Sequence, residues 1–349
     1  MKTSKTNLSF AALLIAALPA SGQTSSARPP GAAPPTITST TTLVLVPTLV
    51  QSATGELIPD LRARDFRLTD NGVQQEVAIE GVERQPLSVV VLMQTGGAAP
   101  RQFGKYRNLT PMLEAMMGGS ACRVALVTFD SRPEEIWNFP SRVDGLTDAF
   151  THPEPGDPGA AILDAVNYGI DLLQAEPASS RRILLLLSQP QDDGSTARAA
   201  DVIRRVGESN TTIYSVTFSP EKQWLKDQFT MPRHANRPLQ LSPTQQPIIR
   251  TFNLDAPLRV ALNAMREDTA AAIATMSGGE HLRFGNKLDL EGQLSTLANH
   301  IPNRYTLSFR PTSQAAGLHR IDVQVLHQAQ PLKVAARTIY WSTGTALQE

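Results

Sequence analysis

A chain of 349 residues, in which Lys+Arg 32 balance Asp+Glu 32, has room for about two domains and a sizeable core. Its zero net charge excludes a global electrostatic pull toward nucleic acid or an anionic membrane. One cysteine, Cys122, excludes an intramolecular disulfide, and Pro 26 with few aromatics points to a loop-rich, β-containing chain.

The first element is a targeting signal. Met1-Lys-Thr-Ser-Lys5 is basic, residues 8–18 are an apolar core, and Ala20-Ser21-Gly22 supplies small side chains. This predicts a signal peptide over 1–22, cleaved before Gln23, and so an exported, periplasmic or extracellular protein. The apolar run is shorter than the roughly 18 residues a membrane span needs, so no transmembrane segment is expected after cleavage. Residues 23–36 are rich in Pro, Ser and Ala and predict a disordered linker.

Residues 37–85 read as an N-terminal β segment. Thr, Val and Leu dominate 38–50, a turn is expected at 52–55, and 65–69 precedes Asp70-Asn71-Gly72. Asn-Gly is a strong hairpin signal, so 74–83 is expected to be the return strand.

From 86 to 302 the pattern changes to alternating strands and helices, as in an α/β domain with a mostly parallel sheet. Leu87-Ser-Val-Val-Val-Leu-Met-Gln94 and Arg182-Ile-Leu-Leu-Leu-Leu-Ser-Gln189 are continuous apolar runs that each end in a glutamine. Such runs predict central strands covered on both faces, and ligands in such sheets bind at the carboxyl ends of the strands. Further strands are expected at 123–129, 136–139, 183–188, 212–218 and 281–284. Helices are expected at 107–117, 160–173, 197–208, 266–276 and 288–301, with Ser277-Gly278-Gly279 as a helix cap. Residues 220–262 read as an insertion over the carboxyl end of the sheet. The C-terminal segment, 303–349, carries β patterns at 305–310, 319–326 and 332–341.

The two glutamine-ended strands and their loops resemble the von Willebrand factor type A (VWA) domain. In that family the first strand ends in Asp-x-Ser-x-Ser, and a Thr and a second Asp complete a site for Mg²⁺ or Mn²⁺. On that pattern Gln94 stands for the first Asp, and Gly96 and Ala98 for the serines. Ala160, in Pro158-Gly-Ala-Ala-Ile-Leu-Asp-Ala165, stands for the Thr, and Gln189 for the second Asp. Every ligand position is changed. Gly and Ala offer no side-chain oxygen and an amide brings no charge, whereas hard divalent cations need several oxygen ligands. The resemblance therefore implies a VWA fold, Rossmann-like with helices on both faces, whose metal site is degenerate.

The terminal β segments resemble an exported bacterial "VWFA-related" family. The matching pieces are Ile58-Pro-Asp-Leu61, Asp65-Phe66, Asp70-Asn-Gly72, Tyr305-Thr-Leu-Ser-Phe-Arg-Pro311, Gly317-Leu-His-Arg-Ile-Asp-Val323, Ala336-Arg337 and Tyr340-Trp341. Neither β end can bury a face alone, so the two are expected to pair into a small β domain flanking the VWA-like one.

None of the six histidines sits at zinc-like spacing from a Cys or carboxylate, and no nucleophile elbow, Walker loop or dinucleotide pattern occurs. Asp164 reads as a helix N-terminal carboxylate, Asp130 as solvated charge and Cys122 as a small buried residue. No catalytic residue and no cofactor is expected. The leading reading is a non-enzymatic module that binds a protein partner without metal through Gln94, Thr95, Gly96, Gly97, Ala98, Ala160 and Gln189. A second is cation-dependent adhesion through the displaced loop acids Asp157, Asp192 and Asp193. A third is an exported hydrolase whose residues are scattered in sequence.

Overall fold

The structure, a computed structural model, describes residues 43–81, 85–111, 113, 122–137, 146–218, 255–313, 315–326 and 331–344. The expected signal peptide and linker lie outside these residues, as does most of the expected insertion. The described residues pack as one unit.

Strand β1 (Val44–Gln51) buries Val44, Val46, Leu49 and Val50 and ends in the expected turn, where Gly55 has φ 94°. Strands β2 (Phe66–Asp70) and β3 (Val73–Gln75) form the expected hairpin. Asn71 and Gly72 have φ 49° and 85°, the two positive values that a type I′ turn requires. The return strand differs from the expectation over 74–83: β3 stops at Gln75, and β4 (Ala78–Glu80) belongs to another sheet. Gln75 is tied to Thr312, whose N–H donates to Oε1 at 3.1 Å, while Ile79 pairs in register with Leu307. Two partners thus draw one segment into two sheets.

Strands β5 (Leu87–Gln94), β6 (Cys122–Phe129), β7 (Pro133–Trp137), β8 (Arg181–Ser188), β9 (Thr211–Phe218) and β10 (His281–Phe284) form a six-stranded sheet of order β10-β9-β8-β5-β6-β7. All pairings are parallel except β6 with β7. The order reverses direction between β5 and β8, which makes the sheet doubly wound with its switch point there. Every residue of β5 is buried, as its unbroken apolar run requires.

Helices α1 (Leu146–Thr151), α2 (Ile162–Ala175), α3 (Ala199–Glu208), α4 (Asp255–Glu267), α5 (Thr269–Ser277) and α6 (Lys287–His300) complete the layers. On one face Val90, Leu92, Leu184 and Leu186 pack with α2, α3, α4 and α5. On the other, Val91, Met93, Leu185 and Leu187 pack with Phe150 of α1, with Leu290 and Leu294 of α6, and with the 3-10 turns Ala99–Asn108. Those turns run into the helix expected over 107–117, of which residues 112 and 114–117 lie outside the described chain. Helix α4 begins inside the stretch expected to be irregular. The helix expected over 266–276 is interrupted because Asp268 turns extended (φ −154°) and caps α5, accepting the Ala271 N–H at 2.8 Å.

The remaining strands are β11 (Tyr305–Phe309), β12 (Gly317–Val325), β13 (Lys333–Ala336) and β14 (Ile339–Ser342). They join the N-terminal strands in two four-stranded antiparallel sheets, β13-β1-β11-β4 and β14-β12-β2-β3. Val46, Leu68, Leu307, Phe309 and Ile321 fill the space between them. The expected architecture is therefore the observed one: an α/β, VWA-like, mostly parallel sheet with helices on both faces, beside a small β domain made from both terminal segments.

The β pattern expected over 332–341 breaks at Arg337 and Thr338. The Arg337 side chain is buried and donates to the carbonyls of Leu45 (3.1 Å), Ile339 (2.8 Å), Gly207 (2.6 Å) and Ser209 (3.1 Å). Two of these acceptors lie at the C-terminus of α3, where a cation satisfies free carbonyls and meets the negative end of the dipole. Burial pulls Arg337 down to about 10, so it stays charged at neutral pH. This residue fastens the sandwich to the central sheet.

Candidate functional site

Gln94 and Gln189 leave the carboxyl ends of β5 and β8, on either side of the switch point. Their amides clasp each other. Gln94 Oε1 accepts the Gln189 backbone N–H at 2.8 Å, and Gln94 Nε2 donates to Gln189 Oε1 at 3.2 Å and to the Gly96 carbonyl at 3.1 Å. Gln189 Nε2 in turn donates to the Gln191 carbonyl at 3.0 Å. An amide carries both donor and acceptor, so one bond between the side chains and bonds to backbone groups satisfy both without a counter-charge.

The loops beside the clasp are closed by backbone. Thr95 donates its N–H to Phe129 O at 2.8 Å and accepts the Gly156 N–H at 3.1 Å, while Gly97 N–H donates to Asp157 O at 3.0 Å. A Cβ on Gly96 would lie 2.2 Å from Gly159 O and 2.4 Å from Asp157 O, so no side chain fits there. Ala160 is brought in by a two-way bridge to Asp193, with N···O distances of 2.8 and 2.9 Å. Gln94, Thr95, Gly96 and Ala160 are buried, Ala98 and Gln189 half-buried, and Gly97 exposed.

The loop acids do not converge. Asp157 accepts the N–H groups of Ser131 (3.0 Å) and Gly159 (2.8 Å), and the Ser131 hydroxyl as well. Those bonds, the Ser131 hydroxyl first, hold its carboxyl below the usual range. Asp192 accepts the Leu163 N–H at 3.0 Å and the Ser195 hydroxyl at 2.5 Å, capping α2. Asp193 is exposed and contributes its backbone. Among the described residues no three His, Cys, Asp or Glu side chains are grouped to hold a metal ion.

The side chains present do not fit Mg²⁺ or Mn²⁺. The two strand-end groups are neutral amides already bonded to each other, and Gly96 and Ala160 carry no oxygen beyond the backbone. Hard cations require several free oxygen ligands with carboxylate charge, and here the nearest carboxylates are turned to Ser131, Gly159 and the start of α2.

Asp164 proves structural: its carboxylate accepts the N–H groups of Thr196 and Ala197, both at 2.8 Å, and so sets the approach to α3. Asp130 differs from its expectation as solvated charge. Its carboxylate accepts the Asp157 N–H at 3.1 Å and its carbonyl the Ala161 N–H at 2.7 Å, so it braces the loop that carries Ala160. Its position at the carboxyl end of β6, matching Gln94 and Gln189, was the available signal. Cys122 is half-buried, and burial pushes its thiol up to about 12, against nucleophilic use.

Among the described residues, Ser215, His281 and Asp268 form a Ser–His–Asp sequence of contacts. Ser215 Oγ lies 2.8 Å from His281 Nδ1, and His281 Nε2 lies 3.7 Å from Asp268 Oδ2. Ser215 is fully buried on β9, and 3.7 Å is too long for a hydrogen bond. Burial pulls His281 down to about 4, a poor general base at neutral pH. The contacts bind β9 to β10 and leave Ser215 closed to a substrate.

No family model and no curated protein matches the sequence. Similar solved structures include an aerotolerance-related membrane protein from Bacteroides fragilis, 13% identical, covering 61% of this chain and 98% of that one at TM-score 0.39. BatB from Bacteroides thetaiotaomicron is 12% identical and covers 61% and 99% at TM-score 0.39. Proximal thread matrix protein 1 from mussel byssus, with a zinc-occupied MIDAS motif, is 10% identical and covers 67% and 50% at TM-score 0.43. Similarity at these scores carries no argument about function. The fold rests on the strand order and the parallel pairings of the central sheet.

Proposed function

We propose that this chain is an exported, non-enzymatic protein-interaction module whose VWA-like fold has lost its divalent-metal site and meets its partner without metal. The observation that carries the reading is the reciprocal Gln94–Gln189 clasp, which places two self-satisfied amides at the switch point, where the family pattern calls for carboxylates. Around it, Gly97, Ala98 and Gln189 reach the surface beside Asp157 and Pro158, and the buried Gln94, Thr95, Gly96 and Ala160 hold that surface in shape. Recognition there uses backbone and amide hydrogen bonds and a small apolar patch.

No helix among the described residues is long and apolar enough to cross a membrane. Export rests on the basic, apolar and small-residue segments of 1–22.

The test is a thermal melt of the chain from Gln23 with EDTA, Mg²⁺, Mn²⁺ and Ca²⁺ in turn. A bound cation stabilises the native state by mass action, so the reading expects one unchanged midpoint. A cation-specific rise would overturn it and give Asp157, Asp192 and Asp193 the coordinating role.

A further inference from the structure

A buried polar triad lies inside the sandwich, away from the strand-end loops. His319 of β12 is fully buried, and Asp70 of β2 is 2% exposed. His319 Nδ1 is 2.8 Å from Asp70 Oδ1, and its Nε2 is 2.8 Å from the Ala315 carbonyl. Tyr340 of β14 places its hydroxyl 2.7 Å from Asp70 Oδ2 and 2.9 Å from His319 Nδ1.

With Asp70 ionised, the proton count has one solution that satisfies every contact. A carboxylate and a carbonyl only accept, so both ring nitrogens must donate. The single Tyr340 proton goes to Asp70 Oδ2, and the phenolic oxygen shares the Nδ1–H. A neutral imidazole would set a lone pair against an oxygen at 2.8 Å on one side or the other, a costly pairing on the buried Asp70 side.

We infer that His319 is a pH-sensitive fastener of the β-sandwich: as an imidazolium it ties the turn at Ala315 to Asp70 of β2, and loss of its proton breaks one of those two bonds and uncouples the turn from β2. The turn joins β11 of one sheet to β12 of the other, so its release loosens the connection between the sheets.

The groups around His319 favour the charge. Asp70 faces it from β2 and Tyr340 from β14, with ring centroids of His319 and Tyr340 4.7 Å apart. β11 presents Phe309, packed on Tyr340. On its own strand, Arg320 and Asp322 are exposed, and Arg310 at the start of the turn is exposed. Helix α4 meets β12 through Leu318, and its Arg259, Arg266 and Glu267 are exposed. Burial alone would lower the histidine, but the hydrogen bonds to Asp70 and Ala315 and the Asp70 charge outweigh it and raise the group.

A histidine raised in the native state adds stability below its unfolded value, near pH 6.5, and loses that contribution as pH rises through the raised native value. Between those two values the native state holds one more proton than the unfolded one. The unfolding constant therefore rises about tenfold per pH unit in that window and flattens above it.

The test has two arms on the full chain. In ¹⁵N NMR of the histidine rings, both His319 nitrogens should read as protonated at pH values below about 6.5 and titrate at higher pH than an exposed histidine. In urea unfolding across the same range, wild type should show the tenfold-per-unit loss and His319→Gln should not. Amides of 310–318 should lose exchange protection in step with the titration. An unprotonated Nε2 at mildly acidic pH, or an equal pH slope in wild type and variant, would overturn the inference. If His319→Gln does not fold, the NMR and exchange measurements on wild type decide the matter alone.

Discussion

Gln94→Glu is the sharpest probe of the strand-end clasp, because it changes charge and proton count while keeping shape. The oxygen that replaces Nε2 would sit 3.1 Å from Gly96 O and 3.2 Å from Gln189 Oε1, both acceptors. Gln94 is fully buried, so an ionised carboxylate there has neither water nor a cationic partner. Its native pKa must rise above the unfolded value of about 4.3. At or below that pH the protonated acid imitates the amide, and the loss should stay within about 1 kcal/mol. Above it the penalty grows by about 1.4 kcal/mol per pH unit until the native value is reached, adding at most about 4 kcal/mol by neutrality. Urea unfolding of wild type and variant from mildly acidic to neutral pH, with EDTA or Mg²⁺, measures this directly. A penalty that does not change with pH would refute the hydrogen-bond assignment. Rescue of the variant by Mg²⁺ would refute the claim that these loops do not fit a cation.

Three further substitutions test the surrounding framework. Gly96→Ser, which restores the family residue, should destabilise by about 3 kcal/mol by overpacking against Gly159 and Asp157 carbonyls, read as a lower urea midpoint. Arg337→Met should cost about 3 kcal/mol, because the carbonyls of Leu45, Gly207, Ser209 and Ile339 lose their buried donor; hydrogen exchange should show α3 fraying first. Asp192→Ala should cost only about 1 kcal/mol, since Ser195 Oγ still accepts the Leu163 N–H at 3.0 Å, and should leave any cation response unchanged.

The central sheet was legible because its strands are uninterrupted apolar runs, and β5 keeps the bounds its residues predict. The hairpin at Asn71-Gly72 was legible because only a turn with two positive φ values uses that pair so readily. What escaped the sequence depends on single residues held by distant partners. Asp268 ends one helix and starts another, and Arg337 breaks a strand by reaching the end of α3; periodicity carries neither event. Helix α4 was hidden by the Pro- and Gln-rich residues before it. At the strand ends the glutamines were legible by position, but the occupations of Asp157 and Asp192 depend on a hydroxyl and amides from loops remote in sequence. The weak terminal motifs acquire a physical meaning: Tyr305, Asp70, His319, Arg337 and Tyr340 are polar groups whose partners lie in other segments. Tyr305, for example, donates to Ile58 O at 2.7 Å and accepts the Leu61 N–H at 3.0 Å, joining two of those pieces.

The interleaving of both chain ends in the sandwich sets an order of assembly. Asp70 and His319 are 249 residues apart, and β1 pairs with β11 and β13 rather than with any strand near it in sequence. Contacts so remote form late, because loop closure must precede the gain from pairing. During synthesis β1 therefore waits with Val44, Val46, Leu49 and Val50 uncovered and both edges open while the central sheet completes. The finished central sheet then acts as the platform on which Arg337 seats the last strands. A nascent chain stopped before Tyr305 would carry a folded centre and an orphaned, aggregation-prone first strand.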